Sequence, residues 1–237
     1  MDQIFEKKLS EIGLSLSGKQ HDQFNRYYDL LVEWNKVMNL TGITEYDEVI
    51  TKHFVDSLSI VKAVDMNHVY KLIDVGTGAG FPGIPLKIVF PHLNVTLLDS
   101  LNKRILFLDT VAAELDLEYV SPIHGRAEEY AHMEKYREYY DIAVSRAVAN
   151  LSSLSEYCLP FVRVGGIFIA YKSDDIGEEM LNARKAITVL GGKEKEVLKF
   201  TLPDTDIKRS LVVIKKKKET GKKFPRRAGL PTKEPIH

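Results

Sequence analysis

The sequence has a single cysteine, Cys158, and no long apolar run. One thiol cannot form an intramolecular disulfide or a cluster of thiolate metal ligands, which suits a reducing compartment. No stretch approaches the roughly 18 consecutive apolar residues that span a bilayer. The first twenty residues also lack the basic start and apolar stretch of a signal peptide. We therefore expect a cytoplasmic protein that has no membrane partner.

The sequence also has few candidate residues for metal binding or thiol chemistry. The seven histidines include no H-x-x-x-H pair or other ligand spacing, so no bound metal is expected. Cys158 falls at helical spacing with Leu151 and Leu154, just before Pro160. This pattern predicts a packed core thiol and argues against a cysteine nucleophile.

Charge is balanced over the whole chain but not along it. The 33 basic and 33 acidic residues cancel, yet residues 208–237 hold eleven Lys or Arg against two Glu. A basic terminal segment on an acidic body indicates a polyanionic partner. A solvated, disordered terminus has the same composition, so both interpretations stay open.

The chain changes its periodicity near residue 66. Before that point it is helical: Ser17 and Gln20 have the form of a capping box, an apolar stripe follows over residues 24–34, and a second helix runs from about Asp47 to Val61. After it, short apolar runs alternate with helical stretches such as 103–115 and 152–159, which is typical of an α/β protein whose mostly parallel sheet is buried on both faces. The seven predicted strands are 70–75, 94–98, 119–123, 141–145, 166–171, about 195–201 and 210–215.

Ligands of such a sheet bind outside the carboxyl ends of its strands. The first strand runs directly into Gly76, Gly78 and Gly80, where a missing Cβ permits a tight turn and close approach of a ligand. The letters from Gly78 to Gly83 also match the dinucleotide fingerprint G-x-G-x-x-G. That match is weak because it does not begin at the strand end, and a plain connecting turn remains the alternative.

Acidic and basic residues follow the next strands. Asp99 closes the second strand, where a carboxylate can accept both hydroxyls of an adenosine ribose or cap the following helix. Ala127 and Glu128 follow the third strand and are placed to contact an adenine edge. Arg146 follows the fourth and would pair with a methionine carboxylate, an RNA phosphate or a neighbouring acid.

Together these segments resemble the RsmG (GidB) family of bacterial 16S rRNA guanine-N7 methyltransferases over almost the whole chain. Phe224 stands where the family usually has Tyr. The matching stretches are WNK (34–36), NLT (39–41), HFVDSL (53–58), DVGTGAGFPGIPL (74–86), DSLNKR (99–104), RAE (126–128), SRAV (145–148) and FPRRAGLP (224–231).

The resemblance implies a Rossmann-like methyltransferase sheet of seven strands (66–217) with an N-terminal helical extension (1–65) and a basic C-terminal tail (218–237). It implies S-adenosyl-L-methionine as cofactor and 16S ribosomal RNA, or the small ribosomal subunit, as partner. The implied cofactor contacts are Gly76, Gly78, Phe81, Asp99, Ala127, Glu128 and Arg146.

Arg146 is also the residue to which we assign catalysis, by orienting the methionine carboxylate or RNA without transferring a proton. The basic residues expected to contact RNA are Arg104, Arg126, Lys172, Arg226 and Arg227. The tail is expected to act apart from the cofactor crevice. Two other functions remain open: a non-catalytic RNA-binding or assembly factor, and a nicotinamide-dependent oxidoreductase.

Overall fold

The chain is described by a computed structural model that covers residues 3–146 and 148–237. Ala147, which belongs to the motif after the fourth predicted strand, lies outside the described residues. Seven strands form one sheet, close to the predicted positions. They are β1 (Lys71–Val75), β2 (Asn94–Asp99), β3 (Val120–His124), β4 (Tyr140–Arg146), β5 (Val162–Lys172), β6 (Gly192–Thr201) and β7 (Lys208–Lys216).

The strands lie in the order β3-β2-β1-β4-β5-β7-β6. β1 to β5 are parallel, whereas β7 runs antiparallel to both β5 and β6. The carboxyl ends of the five parallel strands therefore share one edge of the sheet, and β7 begins at that same edge. This arrangement confirms the predicted fold class, an α/β sheet of seven mostly parallel strands.

Helices cover both faces of the sheet. Successive residues of a strand point to opposite faces of the sheet, so Phe168 and Ala170 of β5 pack in one core and Ile169 and Tyr171 pack in the other. The α-helices are α1 (Gln3–Glu11), α2 (Gly18–Met38), α5 (Gly83–Val89), α6 (Asn102–Glu114), α7 (Ala127–Tyr130), α8 (Leu151–Cys158), α9 (Gly177–Val189) and α10 (Leu230–Lys233), with the short α3 (Tyr46–Val49) and α4 (Asp56–Leu58) in the composite segment that follows α2.

The N-terminal helices share a core with the sheet. The predicted capping box starts α2, with Ser17 accepting from the Gln20 amide and the Gln20 side chain accepting from the Ser17 amide. The second predicted helix is a composite segment: α3 (Tyr46–Val49), a π-helical turn (Ile50–Val55), α4 (Asp56–Leu58) and a 3-10 turn (Ser59–Lys62). No helix within the described ranges has the length and apolar character needed to cross a bilayer.

Candidate active site

The glycine turn after β1 leaves one position open to a ligand. Gly76, Gly78 and Gly80 all have positive φ, a conformation that side chains rarely adopt. A Cβ on Gly76 would lie 2.6 Å from Val148 Cγ2, and one on Gly80 would lie 2.7 Å from Ile84 Cγ1, whereas a Cβ on Gly78 would meet nothing within 4 Å. Gly78 is thus the glycine of this turn whose missing side chain leaves open space.

Asp99 ties this turn to the start of α6. Its buried carboxylate accepts from the Gly78 amide (Oδ2, 2.9 Å) and from the Leu101 amide (Oδ1, 2.9 Å). Arg104 adds an ion pair, with Nη1 3.0 Å from Oδ2. The helix cap considered for Asp99 is not formed, because α6 has Leu101 at its N-cap and no side-chain cap; Asp99 instead holds the Leu101 amide just before the helix and lines both cavities of the crevice.

Two adjoining cavities of about 770 and 240 Å³ meet around Gly76 and Asp99. The larger one lies between the glycine turn and the N-terminal helices, and the smaller one lies beside α7. The seven predicted cofactor contacts all line these cavities: Gly76, Gly78, Phe81, Asp99 and Arg146 the larger, and Gly76, Asp99, Ala127 and Glu128 the smaller.

Arg146, the last residue of β4, projects into the larger cavity. Its Nη1 donates to Asp56 Oδ2 at 3.0 Å and to the Lys52 carbonyl at 3.3 Å, and its guanidinium lies 5.1 Å from the Phe81 ring centroid. Arg146 is therefore paired with a neighbouring acid, which was one of the three partners considered from the sequence. Asp56 accepts a second arginine, Arg209, through Oδ1 at 3.2 Å, so this carboxylate is shared by two cations.

His53 is held neutral beside Arg146. The imidazole stacks on Phe81 with ring centroids 4.5 Å apart. Its Nδ1 lies 3.2 Å from the Lys52 carbonyl, which can only accept, so Nδ1 carries the hydrogen and Nε2 accepts from the Thr41 hydroxyl at 2.8 Å. Burial, reinforced by the charge of Arg146, lowers the pKa of His53 to about 4. The crevice therefore contains an uncharged imidazole at neutral pH.

Asp74 lies beneath the glycine turn and is fully buried. Oδ2 accepts from the Thr77 hydroxyl (2.7 Å) and the Gly83 amide (2.9 Å), whereas Oδ1 has no partner among the described residues. Burial raises the pKa of Asp74 to about 6 despite those two donors. The buried carboxylate therefore anchors Thr77 and Gly83 at the glycine turn.

His53 and Asp74 have opposite effects on the free energy of unfolding as the pH falls from about 6 to 4. His53 titrates at a lower pH when folded than its ordinary 6.5, so its contribution is complete above pH 6.5 and is lost as the pH falls to 4. Asp74 titrates higher than its ordinary 3.8, so its burial becomes less costly over nearly the same interval. Each shift corresponds to roughly 3 kcal/mol, with opposite signs.

Urea unfolding at pH 6.5, 5.5 and 4.5 checks these opposite contributions. As the pH falls, the free energy of unfolding of His53→Gln should rise relative to that of the wild type, because the loss that His53 contributes is removed while the Asp74 contribution is kept. His68→Gln, which alters an exposed histidine, should retain the wild-type profile. A His53→Gln profile parallel to that of the wild type would contradict the lowered pKa of His53.

The C-terminal segment, residues 224–237, packs along α8. Arg226 forms a bidentate ion pair with the buried Glu156, Nε to Oε1 at 2.9 Å and Nη2 to Oε2 at 2.7 Å. Ser153 donates to the Pro231 carbonyl at 2.7 Å, and Ser152 donates to the Ile236 carbonyl at 2.6 Å. This part of the tail is thus bound to the body of the protein and differs from a solvated terminus.

The same segment completes the smaller cavity. The Gly229 amide donates to Glu128 Oε1 at 2.8 Å, and Gly229 and Thr232 line the cavity beside Ala127. The expectation that the tail is separate from the crevice was wrong. Contacts between residues 101 positions apart in the chain, such as this one, leave no local pattern in the sequence.

The four consecutive lysines at 215–218, which precede this segment, lie at the opposite edge of the sheet because β7 is antiparallel to β5. Lys216, the last residue of β7, is buried and donates to the Leu159 carbonyl (2.7 Å) and the Thr220 hydroxyl (2.6 Å). Its Nζ also lies 3.0 Å from Glu138 Oε1. Lys216 is therefore a structural cation, and the basic residues after position 208 do not form one continuous surface.

The predicted RNA contacts differ in their surroundings. Arg126 and Arg227 are exposed, and Arg126 borders the smaller cavity. Arg104 and Arg226 are in the ion pairs described above, and Lys172 lines the larger cavity while pairing with Glu179 at 2.6 Å. The RNA-binding roles of all five remain predictions.

Cys158 is fully buried in the core between α8 and the sheet. Burial raises the pKa of its thiol well above the usual value, so it is a poor nucleophile. Within residues 3–146 and 148–237, no group of three or more His, Cys, Asp or Glu side chains is arranged to hold a metal ion.

Sequence reasoning missed several residues of the crevice. Thr41, His53 and Asp56 were noticed only as part of matching stretches, and Arg209 was noticed only as part of the charge count. An acid on the apolar face of a predicted helix was the available signal for Asp56, since a buried charge needs a partner.

The strand order, the glycine turn at the carboxyl end of β1 and the carboxylate at the end of β2 define a Rossmann-like methyltransferase. The chain belongs to the rRNA small subunit methyltransferase G (GidB) family, whose model matches residues 20–212. This membership confirms the family predicted from the sequence and, with it, an S-adenosylmethionine-dependent methyltransferase of ribosomal RNA.

Individual relatives agree along nearly the full length. Proteins named ribosomal RNA small subunit methyltransferase G are 55% identical in Lachnoclostridium phytofermentans (98% of this chain and 96% of the relative) and 54% identical in Alkaliphilus metalliredigens (98% of each). Solved structures share the fold at low identity. A chain in the complex of the Haloferax volcanii Trm112 methyltransferase activator with a methyltransferase has a TM-score of 0.57 at 14% identity, covering 79% of this chain and 98% of that one. MtNAS in complex with MTA and tNA has a TM-score of 0.53 at 13% identity, covering 83% and 74%.

Proposed function

We propose that this protein methylates N7 of one specific guanine in the 16S ribosomal RNA of the small subunit, in the cytoplasm, with S-adenosyl-L-methionine as methyl donor. One observation carries the choice of atom: Asp56, Asp99 and His53, the carboxylates and imidazole that line the larger cavity, are already engaged. Asp56 is held by two arginines, Asp99 by amides and Arg104, and the His53 lone pair by Thr41. A site of this kind offers no poised general base.

The residues present fit the cofactor. Gly78 gives a ligand access to the backbone, and Asp99, which lines both cavities, can accept hydrogen bonds from ribose hydroxyls. We place the adenine beside Ala127 and Glu128 and the methionine carboxylate near Arg146. The neutral His53 adds no positive charge next to a sulfonium.

When bound, the cofactor supplies an electrophilic methyl group, which guanine N7 can accept through its in-plane lone pair without losing a proton. The task of the protein is then positioning, which can lower a barrier by roughly 7–11 kcal/mol in well-oriented reactions. Phe81 and His53 form a rigid stacked wall on one side of the crevice, and Arg146 holds an anionic group at the end of β4. None of these side chains is assigned a proton-transfer role.

Methylation of unmodified 16S rRNA and of small subunits that lack the modification tests the proposal. Nuclease digestion and mass spectrometry should find 7-methylguanosine that depends on both the protein and S-adenosylmethionine. Binding of RNA without any methyl transfer would favour the non-catalytic factor, and a methyl group on another atom would overturn the assignment of N7.

Asp99→Asn should weaken cofactor binding about 5- to 150-fold, because loss of the carboxylate charge weakens hydrogen bonds worth roughly 1–3 kcal/mol. Calorimetric titration of S-adenosylmethionine measures the change. Asp109→Asn is the matched control, since Asp109 is exposed on the neighbouring α6. Normal affinity and normal methylation in Asp99→Asn would restrict Asp99 to anchoring Leu101 and the turn.

A further inference from the structure

Arg209 lies at the cofactor edge of the sheet although it begins a strand. Ser210 pairs with Lys172 across β7 and β5, so Arg209 sits next to the end of β5. Arg146 is the last residue of the neighbouring β4. Arg146, Lys172 and Arg209 therefore line the same cavity of about 770 Å³ from three adjacent strands.

These cations are only partly neutralised. Asp56 places one buried carboxylate between two guanidinium groups, which leaves one positive charge in excess. Nε of Arg209 donates to Asp56 and Nη1 donates to the Lys208 carbonyl at 3.1 Å, while Nη2 has no partner among the described residues. An arginine held by one side and open on the other is suited to binding an oxyanion.

The cofactor does not account for this end of the cavity. The residues proposed to hold adenosine, Gly78, Asp99 and Glu128, lie after β1, β2 and β3. Arg209 lies in the other direction, three strands from the glycine turn, which is about 14 Å at the usual strand spacing. Lys172 is paired with Glu179 and Asp56 is shared with Arg146, so a methionine carboxylate near Arg146 leaves the open side of Arg209 without a ligand anion.

We infer that Arg209 binds a backbone phosphate of the RNA next to the target guanine, with Asp56 holding its guanidinium in place. This inference rests on the proposed function, since it places the target nucleotide between the N-terminal helices and the ends of β5 and β7. Asp56 thereby links the cation that serves the RNA to Arg146. The target base would then lie in the larger cavity, between Arg146 and Arg209.

Salt-titrated binding of a fluorescent 16S rRNA transcript, and of small subunits that lack the modification, tests the inference with the full chain. Arg209→Gln should bind RNA roughly tenfold more weakly, and the slope of log affinity against log salt should flatten by about 0.7 to 0.9. Arg209→Lys should restore the slope because it keeps the charge. Arg184→Gln, an exposed arginine on α9, should behave as wild type on both probes.

Two further measurements separate this role from the others. Calorimetric affinity for S-adenosylmethionine should change less than twofold in Arg209→Gln, and the KM for RNA should rise more than kcat falls. An unchanged salt slope would overturn the inference, as would a loss confined to cofactor affinity. RNA binding is measured without turnover, so the two proposals can fail separately. Failure of N7 methylation would overturn the proposed function, whereas the phosphate contact is decided by the salt-titrated RNA binding of the Arg209 variants.

Discussion

Gly78→Val should abolish cofactor binding while the fold survives. The Cβ direction of Gly78 is open, so the new side chain enters space that a ligand needs. The backbone there has φ +62°, which adds strain of roughly 1–2 kcal/mol for a residue other than glycine. We expect the affinity for S-adenosylmethionine to fall at least about 100-fold, or about 2.7 kcal/mol, in calorimetric titration.

Gly13→Val controls for the strain alone. Gly13 has φ +74° and also nothing within 4 Å of an added Cβ, but it follows α1 and lines neither cavity of the crevice. Both variants should lose similar stability, and only Gly78→Val should lose the cofactor. Full affinity in a folded Gly78→Val would remove the glycine turn from the proposed site.

Arg226→Ala should destabilise the protein strongly. Glu156 is 1% exposed, and Arg226 supplies both hydrogen bonds of its bidentate pair, so removing the arginine leaves a buried carboxylate without its cation. Such losses cost about 3–5 kcal/mol, and the partial exposure of Arg226 places this one near 3. Urea unfolding at neutral pH measures the change.

Arg227→Ala is the adjacent control, because Arg227 is exposed and its loss should change the free energy of unfolding by no more than about 0.5 kcal/mol. The two variants also separate stability from RNA binding. Arg227→Ala should weaken RNA binding in a protein of normal stability. Equal destabilisation by both substitutions would contradict a specific role for the Glu156 pair.

The parallel core of the fold was predictable because its signals are local. Each of these signals, an apolar run, the glycine turn directly after the first strand and Asp99 at the end of the second, can be recognised within a window of a few residues. β5 and β6 begin earlier than predicted, at Val162 and Gly192, because their first residues are mostly polar residues or glycine and carry little apolar pattern.

Strand direction explains why Arg209 was missed. Residues just after each strand were taken as the ligand-facing ones, and that rule holds for parallel strands. In antiparallel β7 the ligand edge is where the strand begins. The predicted strand 210–215 was placed well, but its orientation depends on pairing with β5 and β6, which the local sequence does not encode.

The composite helix from Tyr46 to Lys62 shows a second limit. Its apolar spacing predicted one amphipathic helix, and the π-helical turn at Ile50–Val55 interrupts it. Such turns are frequent at functional sites. This π-helical turn contains His53 and directly precedes Asp56. His53 contacts Phe81 and Asp56 contacts Arg146, and both partners are remote in the sequence.

The position of Asp56 also imposes an order on folding. Its two arginines lie 90 and 153 residues further along the chain, on β4 and β7. Until both strands are in place, burying this carboxylate is costly, and it remains better hydrated than buried. We therefore expect the helical segment that carries Asp56 to pack fully over the crevice only after β7 has joined β5, although this segment precedes every strand in the chain.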